Sequence, residues 1–140
     1  MSGFRSTARA GRHERVPGTL VSFHAHPDDE VITTGGTMAR AAAAGSRVVL
    51  VLATGGELGE VAPGVLDEGE ALATRRAIEV ARAGEILGVA RIEFLGYHDS
   101  GMAGEPENTA VGPLFSIRRW DITSLLVIVI VPPTASDALR

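Results

Sequence analysis

Three polar clusters carry the chemistry open to this sequence, and the densest is His24-Ala25-His26-Pro27-Asp28-Asp29-Glu30. A helix start accepts one Asp as a cap with a Pro beside it, which accounts for Asp28 or Asp29 singly. It does not account for two imidazoles and three successive carboxylates beside an apolar strand, where like charges repel. A divalent cation removes that repulsion. Imidazole with carboxylate oxygen suits zinc, and His26 and Asp29 can reach one ion from a single turn. Asp28, next to the ion but not on it, is then placed to take a proton from a water whose pKa zinc lowers to about 7. His24, at the end of the first strand, takes the position of a supporting or packing histidine.

The other two clusters are Thr54-Gly55-Gly56-Glu57-Leu58-Gly59-Glu60 and Gly96-Tyr97-His98-Asp99-Ser100-Gly101-Met102. Each follows an apolar run. Residues 19–23 form a first strand, 47–53 a nearly unbroken Val/Leu strand covered on both faces, and 91–95 a third. Between them lie two helices. Val31, Gly35, Met38, Ala39 and Ala42 share one face of the first, which Gly45 ends. The second spans about residues 70–87, with a buried stripe of Ala73, Ala77, Val80, Ala81, Gly84 and Leu87. Its wet face, Arg75, Glu79 and Arg82, is spaced for ion pairs. The order β-α-β-α-β predicts an α/β fold, a Rossmann-like parallel sheet with flanking helices and right-handed crossovers. All three clusters then fall at the carboxyl edge of the sheet, where open α/β folds place ligands. Arg76 borders the buried stripe; it is either paired there or packs its stem while its head reaches water. Asp99 also suits a turn cap at Ser100-Gly101. Tyr97 and His98 fit ordinary loop positions.

The 140 residues suit one small domain. They are 45% hydrophobic but only 4% aromatic, so the core rests on Ala, Val, Leu and Ile. A net charge of −4 gives no reason to expect nucleic acid or an anionic membrane as a partner. The absence of cysteine excludes disulfides and thiolate metal sites. No segment approaches the roughly 18 apolar residues that span a bilayer. The arginine-rich residues 1–17 resemble a targeting peptide in charge but lack an apolar period, so a flexible N-terminal tail and a cytoplasmic protein are expected. The domain should cover residues 18–131, with 132–140 a C-terminal tail. A dinucleotide site is excluded: G-x-G-x-x-G is absent, and carboxylates occupy the turn a pyrophosphate would need.

Ala25-His-Pro-Asp-Asp-Glu30 in a first βα turn resembles the hallmark of the PIG-L/LmbE-like deacetylases. Gly55-Gly-Glu-Leu-Gly-Glu60 and Asp99-Ser-Gly-Met-Ala-Gly104 support the likeness, which runs from about Leu20 to Asn108. The resemblance implies an LmbE-like fold and a zinc hydrolase acting on an N-acylated amino sugar such as an N-acetylglucosaminyl conjugate. One branch belongs to mycothiol metabolism, so an amidase acting on mycothiol conjugates is an alternative. It further implies His26 and Asp29 as zinc ligands, Asp28 as general base, and Arg76 and Asp99 as sugar-pocket residues.

The family draws its third metal ligand, a histidine, from a later His-Pro-Asp-His segment, and no histidine follows His98 here. From about Ala110 the likeness lapses into Pro113-Leu-Phe-Ser-Ile-Arg-Arg-Trp120 and Leu125-Leu-Val-Ile-Val-Ile-Val131. A shifted frame, a truncated gene or true divergence would each give that change, leaving a fold incomplete at the C-terminus. The expected activity is correspondingly impaired, or absent in an inactive remnant, unless His98 or another chain completes the site. The run 125–131 reads as a fourth strand ended by Pro132-Pro133. Its apolar edge also suits self-association.

Overall fold

A computed structural model describes residues 18–101 and the strand 127–131. The expected tails, residues 1–17 and 132–140, lie outside the described residues. Strand β1 is Thr19–His24, β2 is Arg47–Thr54, β3 is Arg91–Tyr97 and β4 is Val127–Val131, while helix α1 is Gly35–Ala43 and α2 is Leu72–Leu87. The sheet order is β3-β2-β1-β4. β1 pairs parallel with β2 from Thr19↔Arg47 to His24↔Leu52, and β2 pairs parallel with β3. This is the parallel β-α-β-α-β unit read from the apolar runs. The fourth strand takes the edge beside β1 but runs antiparallel to it, from Thr19↔Val131 to Phe23↔Val127.

The period-2 alternation of the strands decides the core. Leu20, Val48, Leu50 and Leu52 point to one face and are buried with Met38 of α1 and Val80 of α2. Both helices therefore cover the same face of the sheet. The opposite face, with Val21, Phe23, Val49 and Val51, is only half-buried, so among the described residues the expected double coverage of β2 is not seen. Gly45, at φ 85°, ends α1 as expected. Its amide donates to Ala42 O while the Ser46 amide donates to Ala41 O, so two orphan carbonyls gain partners.

Two helical stripes differ from expectation. Residues Glu30–Thr34 form a π-helical turn before α1. Its wider i→i+5 spacing changes the phase, so Glu30 and Thr34 turn inward and Val31, expected inside, is 48% exposed. In α2, Ala77 and Ala81 are exposed and the inward row is Ala73, Arg76, Val80, Ala83, Gly84 and Leu87. Arg76 takes the inward place because its head has partners beneath it, described below. Arg75 turns back to Glu70 and Asp67 in the preceding loop.

Candidate active site

β1, β2 and β3 end on one edge, and the loops 25–29, 55–71 and 98–101 meet there. Backbone-directed hydrogen bonds lock them together. Thr54 donates to Ala25 O from both its amide and its hydroxyl, each at 3.0 Å. The Asp99 amide donates to Glu57 Oε1 at 3.0 Å, and the Leu58 amide donates to Asp99 Oδ2 at 3.2 Å. Asp99 Oδ1 accepts the Gly101 amide at 3.0 Å. The turn cap expected at Asp99 is therefore present, and its second oxygen joins the third loop to the second.

The first loop bends sharply. Asp28 has φ 96°, the one non-glycine residue with positive φ among those described, a conformation that costs energy unless its surroundings hold it. The Asp28 amide donates to Glu30 Oε2 at 2.9 Å, and Pro27 O accepts from Arg76 Nη1 at 3.2 Å. The bend leaves the Asp28 side chain 60% exposed, with Arg76 Nη2 at 3.7 Å from Oδ2. Burial pushes the Glu30 carboxyl above its usual range, against hydrogen bonds from its own amide and that of Asp28.

His26 stands between two carboxylates: Nδ1 is 3.7 Å from Asp29 Oδ2 and Nε2 is 3.4 Å from Asp99 Oδ1. Asp29 Oδ2 is shut away from solvent. The structure thus brings together all five residues singled out in the sequence: His26, Asp28, Asp29, Arg76 and Asp99. His24 is buried and shares a closed triangle with the Ser22 and Thr34 hydroxyls at 2.9–3.1 Å. Burial lowers its pKa, opposed by the charge of Asp29. It is a packing histidine that braces the π turn. His98 is 94% exposed and faces Glu57 at 3.4 Å.

Whether zinc fits can be tested on the donors. Two ligands of a tetrahedral zinc at about 2.0–2.2 Å lie about 3.3–3.6 Å apart. His26 Nδ1 and Asp29 Oδ2 are close to that separation, and their chemistry is right. The number is not complete: among the described residues no group of three or more His, Cys, Asp or Glu side chains is arranged to hold a metal. Two residues that lie in the sequence clusters but were given no role there prove important here, Glu30 and Glu57. Glu30 carried a signal, an acid one place after the motif's aspartates; Glu57 carried none beyond its glycine-rich setting.

A cavity of about 330 Å³ opens beside Asp28, with Pro27, Val31 and Ile32 on one wall and Arg76, Glu79 and Val80 on the other. Its size lies at the low end for small-molecule sites, and it mixes apolar walls with a few polar groups.

A parallel β-α-β-α-β unit with an acid–imidazole cluster at its carboxyl edge places the chain among Rossmann-like α/β folds. The chain belongs to the PIG-L family: the family model described as GlcNAc-PI de-N-acetylase matches residues 21–133. Among its relatives is a 1D-myo-inositol 2-acetamido-2-deoxy-alpha-D-glucopyranoside deacetylase of Catenulispora acidiphila, 52% identical over 98 residues, covering 64% of this chain and 30% of that protein. A protein of the same name from Streptomyces avermitilis is 43% identical over 120 residues, covering 79% and 41%. The chain thus spans roughly a third of the length of these curated relatives, between 30% and 41%. In structure it resembles an N,N'-diacetylchitobiose deacetylase from Pyrococcus horikoshii, 35% identical, with 54% of this chain and 27% of that one covered and a TM-score of 0.46. No helix among the described residues is long and apolar enough to cross a membrane.

Proposed function

We propose that this chain carries the acid–base half of a zinc-dependent deacetylase site that hydrolyses the amide of an N-acetylglucosaminyl conjugate, of the inositol-linked kind named for its relatives. The observation that carries the proposal is the division of labour in the first loop: Asp29 turns inward to His26, whereas the bend at Asp28 turns its carboxylate outward to solvent and the cavity. His26 and Asp29 would hold the metal. Zinc bound there supplies Lewis acidity and a water made acidic enough to attack near neutral pH. Asp28 takes the proton of the attacking water and returns it to the amine that leaves. Arg76 holds Asp28 in place, and Asp99 orients His26 from its other ring nitrogen, as carboxylates do for metal-bound imidazoles. The cavity beside Asp28 receives the amino sugar, its apolar walls facing the ring and Glu79 its hydroxyls.

With two donors instead of three, turnover by this chain is expected to be slow, so acetate release is followed over hours in zinc-loaded protein. Asp28→Asn should keep zinc in a calorimetric titration and lower release by about 10²–10⁴-fold, the usual worth of a positioned base. Release that survives both Asp28→Asn and a chelator refutes the assignment. Loss of zinc in Asp28→Asn would make Asp28 a ligand and exchange its role with that of Asp29.

A further inference from the structure

Gly59 has no backbone reason to be glycine, since its φ is not in the left-handed region, unlike that of Gly56 at 66°. It has a steric reason. A Cβ at Gly59 would lie 2.8 Å from Arg76 Nη2 and 3.2 Å from Cζ, and one at Gly56 would lie 2.6 Å from Arg76 Nη1 and 3.1 Å from Pro27 Cδ. The Gly59 amide donates to Gly56 O at 3.3 Å, closing a turn around the guanidinium. Both arms of the arginine fork are thus seated against glycine backbone, and the Arg76 side chain is only 19% exposed.

The far side of this slot is the peptide between Pro27 and Asp28. Its carbonyl accepts from Arg76 Nη1 and its amide donates to Glu30 Oε2. One peptide plane is held at both ends, and that plane sets the strained φ of Asp28. We propose that Arg76, seated in the Gly56–Gly59 slot, is the positioning residue that fixes Asp28 for proton transfer, in place of a simple sugar contact. The catalytic meaning rests on Asp28 being the base proposed above; the slot itself does not. A fork is required, because one arm must reach the Pro27 carbonyl while the other faces the Asp28 carboxylate. An ammonium carries its three donors on one nitrogen and lacks the planar reach of the fork.

A stability cycle on the full chain separates the two parts. Gly59→Ala crowds the slot only while the guanidinium fills it, so it should lower Tm in the parent, and by less than a third of that in an Arg76→Ala background. Arg76→Lys serves as a second background should Arg76→Ala fold poorly, and there the loss should be intermediate. Equal losses in all backgrounds overturn the slot, whatever the activity. On zinc-loaded protein, Arg76→Lys should lower kcat at least 10-fold with KM within about two-fold, and methylguanidinium should partly restore kcat to Arg76→Ala. A raised KM with unchanged kcat overturns the positioning role in favour of sugar binding. Coupled stability together with acetate release that Asp28→Asn does not alter keeps the slot and removes the base.

Discussion

Glu30 gives the sharpest test of how the first loop is held. It is 1% exposed, and its Oε2 takes the amide of a residue held at φ 96°. Glu30→Ala removes a charge-assisted bond worth about 1.5–3 kcal/mol and buried methylenes worth about 0.8 kcal/mol each. It also leaves the Asp28 amide short of an acceptor. Against this stands the cost of the buried charge, since burial, with the charges of Asp28 and Asp29 in the same sense, raises the carboxyl's pKa from the usual 4.5. The net loss should be about 2–4 kcal/mol. Glu30→Gln keeps an oxygen at the same place and discards the charge, so it should stay within about 1 kcal/mol of the parent. The sign of the pH dependence follows. A raised folded pKa means the native state holds its proton more tightly, so the charge penalty is absent below the unfolded value and grows as pH rises through the folded one. Glu30→Gln should therefore gain on the parent as pH rises above the unfolded value of 4.5. Urea unfolding followed by far-ultraviolet circular dichroism, with a chelator present, reads both effects. Equal stability of the Ala and Gln variants would refute the reasoning, because it would mean that no oxygen at this position holds the Asp28 amide.

Calorimetric zinc titration should show affinity falling by more than the 10–100-fold of outer contacts in both His26→Ala and Asp29→Ala; undiminished binding in both removes the metal pair. Asp99→Ala severs two accepted amide bonds and should cost about 2–4 kcal/mol, with Asp99→Asn losing about half as much; urea midpoints that rank the two the other way count against Asp99 as the tie between loops. Arg75 holds the Glu70 carboxyl down to about 2, and a depressed folded pKa contributes stability that is present above the unfolded value of 4.5 and is lost as pH falls through about 2. Melting curves from pH 5 to 2 should accordingly flatten in Glu70→Gln, and an unaltered acid slope would show that the pair adds nothing in solution.

The strands were legible because a parallel sheet writes itself as unbroken Val and Leu runs, as at Val48-Val-Leu-Val-Leu52. The turn after α1 was legible because Gly45 can adopt a conformation that few other residues can. The phase of the first helix was not. Period 3.6 placed Val31 inside, and nothing in Glu30-Val-Ile-Thr-Thr34 announces the π turn that brings Glu30 and Thr34 inward instead. The buried Ser22–His24–Thr34 triangle that braces this turn ties Thr34 to residues ten and twelve positions earlier, beyond the reach of periodicity. In α2 the row through Ala77 looked as apolar as the row through Arg76. Only the partners of the guanidinium, Pro27 O and Asp28, decide which row faces in.

The site divides along the same line. His26, Asp28 and Asp29 were legible because ionisable residues crowded beside an apolar strand demand a chemical reason. Glu57 and Gly59 act on a backbone amide or by leaving room, and neither role has a residue signature. Yet these silent positions set the geometry of the visible ones. The Asp99 carboxylate reaches Leu58 N across 41 positions, and the Glu57 carboxylate reaches Asp99 N across 42. Thr54 ties the end of β2 to Ala25, one residue before His26. Each bond constrains a loop from a neighbouring strand end, so His26 and Asp28 are aimed by the interlock as a whole. A site aimed in this way is organised before any ligand arrives, which lowers the cost of reaching a productive geometry. Among the described residues, the bonds that aim it lie between residues 25 and 101.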